Sequence, residues 1–250
     1  MDEIVGVLQA QQEELAGYVL DLDREGLLEP SRCDGWTVAD VLLHLAQTNE
    51  MAVASVEGLL REFVSETAVG LRPVGSIDDW AGALVDLQRG DPVEARDRWA
   101  DSAAAQVAAF ASCDPKARLL WVAGDMAARS LATTRFSETW IHTVDVAVAF
   151  GPAPAATARL WHVARLVWRT VPYAFAQAGH GAAGPVAFEL VAPDGTTWEL
   201  GDPGEDPTVV RGPALDLCTV AGQRAQAAGT ALTASGPDAE AALRLVRTFA

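Results

Sequence analysis

The stretch Cys33-Asp34-Gly35-Trp36-Thr37-Val38-Ala39-Asp40-Val41-Leu42-Leu43-His44-Leu45 opens a helix and places a histidine on its second turn. Thr37 with Asp40 three positions later is a capping-box arrangement. From there Val38, Val41, Leu42 and Leu45, and further on Val56, Leu59 and Phe63, recur at helical spacing. Upstream, Ile4, Leu8, Leu15, Val19 and Leu22 predict a first helix over 2–25. Downstream, residues 65–91 hold Gly70, Pro73, Gly75 and Gly90, with a short helix expected around Asp79–Leu87. A connection this long fits the crossover of a helical bundle better than a hairpin loop. An alanine-rich helix over 93–112, a fourth over 126–150 stopped by Gly151-Pro152, and a fifth over 155–178 complete the helical part.

After Gly184 the texture changes. Val186–Val191 and Thr196–Leu200 flank Pro193-Asp194-Gly195 as two strands around a turn, and Thr208–Arg211 reads as a third. Helices are expected over 214–227 and 239–249. The expected architecture is therefore mainly α, with residues 1–180 as a helical bundle and 185–250 as a small α+β domain.

Composition narrows the function. Of 250 residues, 34 are acidic and 18 basic, a formal charge of −16. Such a surface repels a phosphate backbone, and no basic stripe offsets it, so nucleic acid and anionic membrane surfaces are not expected partners. No run of eighteen apolar residues is present. Cys33, Cys113 and Cys218 are scattered without CxxC spacing, as in reduced cytosolic proteins, and a cytoplasmic location is expected. GxSxG, Walker and GxGxxG motifs are absent, so hydrolase-elbow and nucleotide-binding readings have no support.

The four histidines are His44, His142, His162 and His180. Glu138 and His142 are four apart, on one face of the fourth helix, where a carboxylate and an imidazole can reach one cation. Asp40 and His44 share that spacing, although capping already accounts for Asp40. With 34 acids in 250 residues, chance supplies about one acid–histidine pair at this spacing. Glu138 lies in an apolar segment and, if buried, needs a partner. A metal is one candidate partner. Arg135, three residues earlier, is the other, with His142 then a core histidine. Asp145, three residues after His142, is either an acceptor for the imidazole N–H or a solvated charge. Cys33 lies near a helix end, where a thiolate can be favoured, but most such cysteines are inert. His162 and His180 have no acid at four-residue spacing and read as structural or exposed.

Three blocks resemble one family. Residues 33–45 resemble the P-G-W-T-V-x-D-V-x-x-H-L signature of the DinB-like, mycothiol-dependent maleylpyruvate isomerase superfamily. Arg135-Phe136-Ser137-Glu138-Thr139-Trp140-Ile141-His142-Thr143-Val144-Asp145-Val146 resembles its E-x-W-x-H-x-x-D-V block. Arg211-Gly212-Pro213-Ala214-Leu215-Asp216-Leu217, with Gly222-Gln223-Arg224, resembles its C-terminal G-P-A-x-D-L…G-R stretch. The resemblance implies a four-helix bundle and a C-terminal domain like the sterol-carrier-protein fold. It also implies a divalent metal, usually zinc, on His44, Glu138 and His142. The family's functional C-terminal arginine falls on Arg224, although Gln223 interrupts the usual G-R pair and Asp34 replaces the usual proline.

The implied activity is a thiol-dependent isomerase or S-transferase on a small electrophilic substrate, with mycothiol or another low-molecular-weight thiol, in a monomer or homodimer. Three protein ligands leave a coordination position open, as in catalytic sites. Two alternatives remain at this point. One is a thiol-independent, metal-dependent lyase, cyclase or hydrolase of secondary metabolism. The other is a non-catalytic protein binding a metal or an apolar small molecule.

Overall fold

The computed structural model describes residues 1–248 apart from 72–74, 123, 183 and 203. Pro73 of the crossover and Phe249 of the expected last helix lie outside the described residues. The chain divides into two compact units, Met1–Pro154 and Ala155–Ala250.

In the first unit four long helices make the expected bundle: α1 (Asp2–Val19), α3 (Val38–Glu57), α6 (Pro92–Ser112) and α7 (Ala128–Ala147). Helix α1 packs on α6 and α7, and α3 packs on the same two. A short α2 (Arg24–Leu27) follows α1, and the crossover carries α4 (Leu60–Thr67) and α5 (Ile77–Gln88). A small ladder of β1 (Arg118–Leu119) and β2 (Met126–Ala127) leads into α7. Leu8, Leu15, Leu42, Leu45, Trp99, Phe110 and Phe136 are buried, and they form the apolar interior that drives the bundle together. The interior is not wholly apolar. Gln11 Nε2 donates to Thr143 Oγ1 at 3.0 Å, and Gln106 Nε2 donates to Asn49 Oδ1 at 2.8 Å. These bonds tie α1 to α7 and α6 to α3 at fixed registers.

The capping box at the start of α3 is formed. Thr37 Oγ1 accepts from the Asp40 amide at 3.2 Å, and Asp40 Oδ2 accepts from the Thr37 amide at 2.9 Å. Arg89 Nε donates to the other Asp40 oxygen at 2.7 Å. The helix ends earlier than its apolar periodicity suggests. Gly58 adopts the left-handed conformation at the C-cap (φ 77°), and Leu59 and Phe63 belong to the next turn and to α4. Likewise α1 stops at Val19, and Asp23 caps the separate α2.

The second unit holds α8 (Leu160–Gln177), β3 (Val186–Val191), β4 (Thr197–Leu200), β5 (Thr208–Pro213), α9 (Ala214–Ala221), β6 (Thr233–Ser235) and α10 (Ala239–Leu245). Its sheet runs β4-β3-β5-β6. β3 and β4 pair antiparallel around the expected turn, and β3 and β5 pair parallel with Phe188 beside Val210. The boundary differs from the expected 180/185. Helix α8 packs on β3, β4, α9 and α10, and so belongs with the sheet. Its amphipathic pattern shows that it needs a partner surface, not which one. No helix among the described residues is long and apolar enough to cross a membrane.

Two outcomes are expected in denaturation experiments. Gly236 has φ 105°, and a Cβ there would collide with Pro207 O and Thr208 Cα; Gly236→Ala destabilises by about 3 kcal/mol. Gly58 is left-handed but faces open space, so Gly58→Ala costs about 1 kcal/mol. Equal costs would contradict this account. For Asp40, burial raises the carboxyl pKa, but the Arg89 and Thr37 hydrogen bonds outweigh it, leaving the folded value below the ordinary one. Folding therefore favours the ionised form. That contribution is full above the unfolded pKa of about 3.9 and fades as pH falls through the folded value. The stability gap between wild type and Asp40→Asn should accordingly shrink below about pH 4.

Candidate metal centre

Helix α7 is buried on nearly every side, with Arg135 through Thr143 all in the interior. Most polar side chains of a helix this enclosed find partners, whereas Ser137 Oγ and Arg135 Nε have none among the described residues. Thr139 and Thr143 turn their hydroxyls back to the carbonyls of Arg135 and Thr139, at 2.9 and 2.7 Å. Arg135 pairs with Glu138 and His142 with Asp145, and the first pair reaches to α3.

The α3 helix brings His44 against this row. His44 Nε2 lies 2.8 Å from Glu138 Oε1. The Glu138 Oε2 oxygen is held by Arg135 Nη1, while Arg135 Nη2 donates to Thr48 Oγ1 at 2.7 Å. The His142 ring meets His44 edge-on, with centroids 5.0 Å apart. Its Nδ1 lies 3.0 Å from Asp145 Oδ2. Among the described residues no hydrogen bond reaches His142 Nε2. His44, Glu138 and His142 are all buried, and one ligand atom from each lies within 4.8 Å of the others.

The electrostatics follow from this contact set. Burial raises the Glu138 pKa, but the Arg135 charge and then the His44 hydrogen bond and charge outweigh it, holding the carboxyl well below its usual range. Burial lowers the His44 pKa more than Glu138 raises it. At neutral pH Glu138 is therefore an anion and His44 a neutral imidazole, the forms that ligate metals.

The donor set fits a divalent cation. Two imidazoles and one carboxylate is a composition found in catalytic zinc sites. The Asp145 bond to His142 Nδ1 fixes the tautomer that leaves Nε2 with its lone pair. Arg135 occupies one oxygen of Glu138 and leaves Oε1 on the side of His44. His44 Nδ1 is buried without a hydrogen-bond partner among the described residues, so only Nε2 is engaged in the cluster.

The loop before α3 completes the surroundings. The Arg32 amide donates to Asp145 O at 3.0 Å, which ties the loop to the end of α7. Trp36 lies against His44 with ring centroids 5.4 Å apart. Cys33 Sγ donates to Asp145 Oδ2 at 3.3 Å and lies 3.9 Å from His142 Nδ1. Cys33, His142 and Asp145 form a second group of ligand atoms within 4.8 Å of one another, but there the imidazole presents the nitrogen already bonded to Asp145.

The residues singled out in the sequence thus separate. His44, Glu138 and His142 come together, and Asp145 is a buried partner of His142 rather than a solvated charge. Asp40 caps α3 and pairs with Arg89, apart from His44. His162 and His180 belong to the second unit, where His180 Nε2 lies 3.0 Å from Asp238. Arg224 is also in that unit. Its Nη1 donates to Gly222 O at 2.9 Å, and it lines a cleft of about 860 Å³ with Arg244 and Arg247. Thr48 and Trp36 are the neighbours the sequence reading missed. A hydroxyl one turn beyond His44 was the available signal for Thr48.

Comparison with known proteins shows the family and the fold. The chain is 32% identical over 247 residues to two uncharacterized proteins of Mycobacterium tuberculosis, MT0041 of strain CDC 1551 / Oshkosh and Rv0036c of strain ATCC 25618 / H37Rv. The match covers 98% of this chain and 95% of each relative. Crystal structures of the mycothiol-dependent maleylpyruvate isomerase and of a mutant of it share the fold. For each the TM-score is 0.60 at 19% identity, covering 94% of this chain and 92% of the other. The family model of the mycothiol maleylpyruvate isomerase N-terminal domain matches residues 8–147, which span the whole bundle from α1 to the end of α7, and the chain belongs to that family.

Proposed function

We propose that this protein is a metal-dependent enzyme that uses a low-molecular-weight thiol, mycothiol by its family, either to isomerise a small electrophile or to transfer the thiol sulfur to it. The observation that carries this reading is the gathering of His44, Glu138 and His142, with the outer atoms of Glu138 and His142 already committed. Asp145 holds His142, and Arg135 holds Glu138. A divalent cation there, zinc being the metal this donor set favours, would supply Lewis acidity and stabilise a bound thiol as its thiolate.

The protein's own groups have separate tasks. His44 and His142 offer ring nitrogens, and Glu138 offers one anionic oxygen. Trp36, half-buried against His44, gives the site an aromatic wall. Maleylpyruvate, an unsaturated dicarboxylate, is the first substrate to try, because the structural relative is named for it. By the family resemblance Arg224 would contribute a cation for a carboxylate.

A second reading rests on Arg135. Its guanidinium neutralises Glu138 without any metal, so the cluster is also a self-consistent buried ion-pair network. Metal content separates the two readings. Protein purified without chelator should carry about one divalent metal per chain, the occupancy of a single site. His142→Ala should lose both the metal and thiol-dependent turnover. Asp145→Ala should keep the fold while metal affinity falls about 10- to 100-fold. Metal-free wild type, or unchanged turnover in His142→Ala, would favour the ion-pair network instead.

A further inference from the structure

Arg135 is fully buried, the only arginine among the largest fully buried side chains of the described residues. A guanidinium cannot shed its proton, so burying one is costly unless every contact repays it. Its Nε has no hydrogen-bond partner among the described residues, and both terminal nitrogens are bonded. Nη1 donates to Glu138 Oε2, Nη2 to Thr48 Oγ1 at 2.7 Å, and the guanidinium carbon lies 5.9 Å from the centre of the Trp121 ring. Thr48 Oγ1 in turn donates to the backbone carbonyl of His44 at 3.0 Å. The bonds therefore close a ring: His44 side chain to Glu138, Glu138 to Arg135, Arg135 to Thr48, and Thr48 back to the main chain of His44. The ring bridges α3 and α7 and contains two of the three candidate ligands.

Charge gives the ring a consequence for ligand choice. Arg135 is a permanent cation bonded directly to the candidate ligand Glu138. Its charge is a surplus over whatever a bound dication brings. In a water-poor interior that surplus acts strongly on whatever fills the open position.

We propose that Arg135 sets the ligand class of this centre: it holds Glu138 by Oε2, leaving Oε1 toward His44, and supplies the surplus charge that makes an anion, rather than a neutral molecule, the favoured occupant. The inference rests on the functional reading above and adds to it the residue that sets the preference for an anionic ligand. Arg135 is a positioning residue and touches neither substrate nor product.

The test uses the full chain loaded with Co²⁺ and follows its visible absorption. Each variant is titrated with thiocyanate, a monoanion, and with imidazole, a neutral ligand. Arg135→Gln should still bind one Co²⁺, with thiocyanate affinity at least about tenfold weaker and imidazole affinity unchanged. Arg135→Lys, which keeps the charge but loses the planar fork, should retain the wild-type preference for the anion. Equal weakening of both ligands in Arg135→Gln, or no weakening, would overturn the inference while leaving the metal centre standing. If Arg135→Gln does not fold, Arg135→Lys decides: a folded variant that loses the anion preference overturns the proposal. Wild type that takes up no Co²⁺ sinks the functional reading and this one together.

Discussion

A carboxylate in the middle of a helical bundle is the constraint around which the first unit is arranged. Glu138 is buried and ionised, and an unpaired charge there would cost several kcal/mol. Arg135 and His44 meet that demand, one from the preceding turn of α7 and the other from α3. Satisfying them draws in further groups. Arg135 needs Thr48 for its second nitrogen, and Thr48 needs the carbonyl of His44. His142, one turn beyond Glu138, needs Asp145. Moving α3 along α7 by a single residue would break two of these bonds at once, His44 to Glu138 and Arg135 to Thr48, so the polar cluster fixes helix register as well as forming a site.

The apolar packing and the polar cluster divide the work. Leu42, Leu45, Trp99 and Phe136 supply the burial that holds α3, α6 and α7 together. Shape alone tolerates small slips between helices. Hydrogen bonds such as Gln11 to Thr143 and Gln106 to Asn49 penalise them. The capping box at Thr37 starts α3 at a defined residue and so sets where His44 falls. The loop pinned by the Arg32 amide brings Trp36 and Cys33 beside the rings of His44 and His142.

Much of this was legible in the sequence, for identifiable reasons. The helices that build the bundle carry strong apolar periodicity, and Glu138–His142 has the spacing that puts two side chains on one face. Spacing alone did not separate a metal pair from an Arg135–Glu138 ion pair, and the structure holds that ion pair within the same cluster. The sequence signatures at residues 33–45 and 135–146 linked His44 to the pair on α7, a relation between helices that periodicity does not carry. Other features were hidden because they depend on tertiary partners. Helix α8 shows an apolar face but no label for the sheet it covers. Gly58 ends α3 through a left-handed residue inside an unbroken hydrophobic pattern. Thr48 gains its role only when Arg135 arrives from another helix.

The central claim is that one cation sits among His44, Glu138 and His142. Anomalous diffraction at the absorption edge of the bound metal, on crystals of protein purified without chelator, addresses it most directly. The account predicts a single strong peak about 2 Å from His44 Nε2, His142 Nε2 and one oxygen of Glu138, with Arg135 still on the other oxygen. A peak elsewhere, or no peak with His44 still bonded to Glu138, would contradict it.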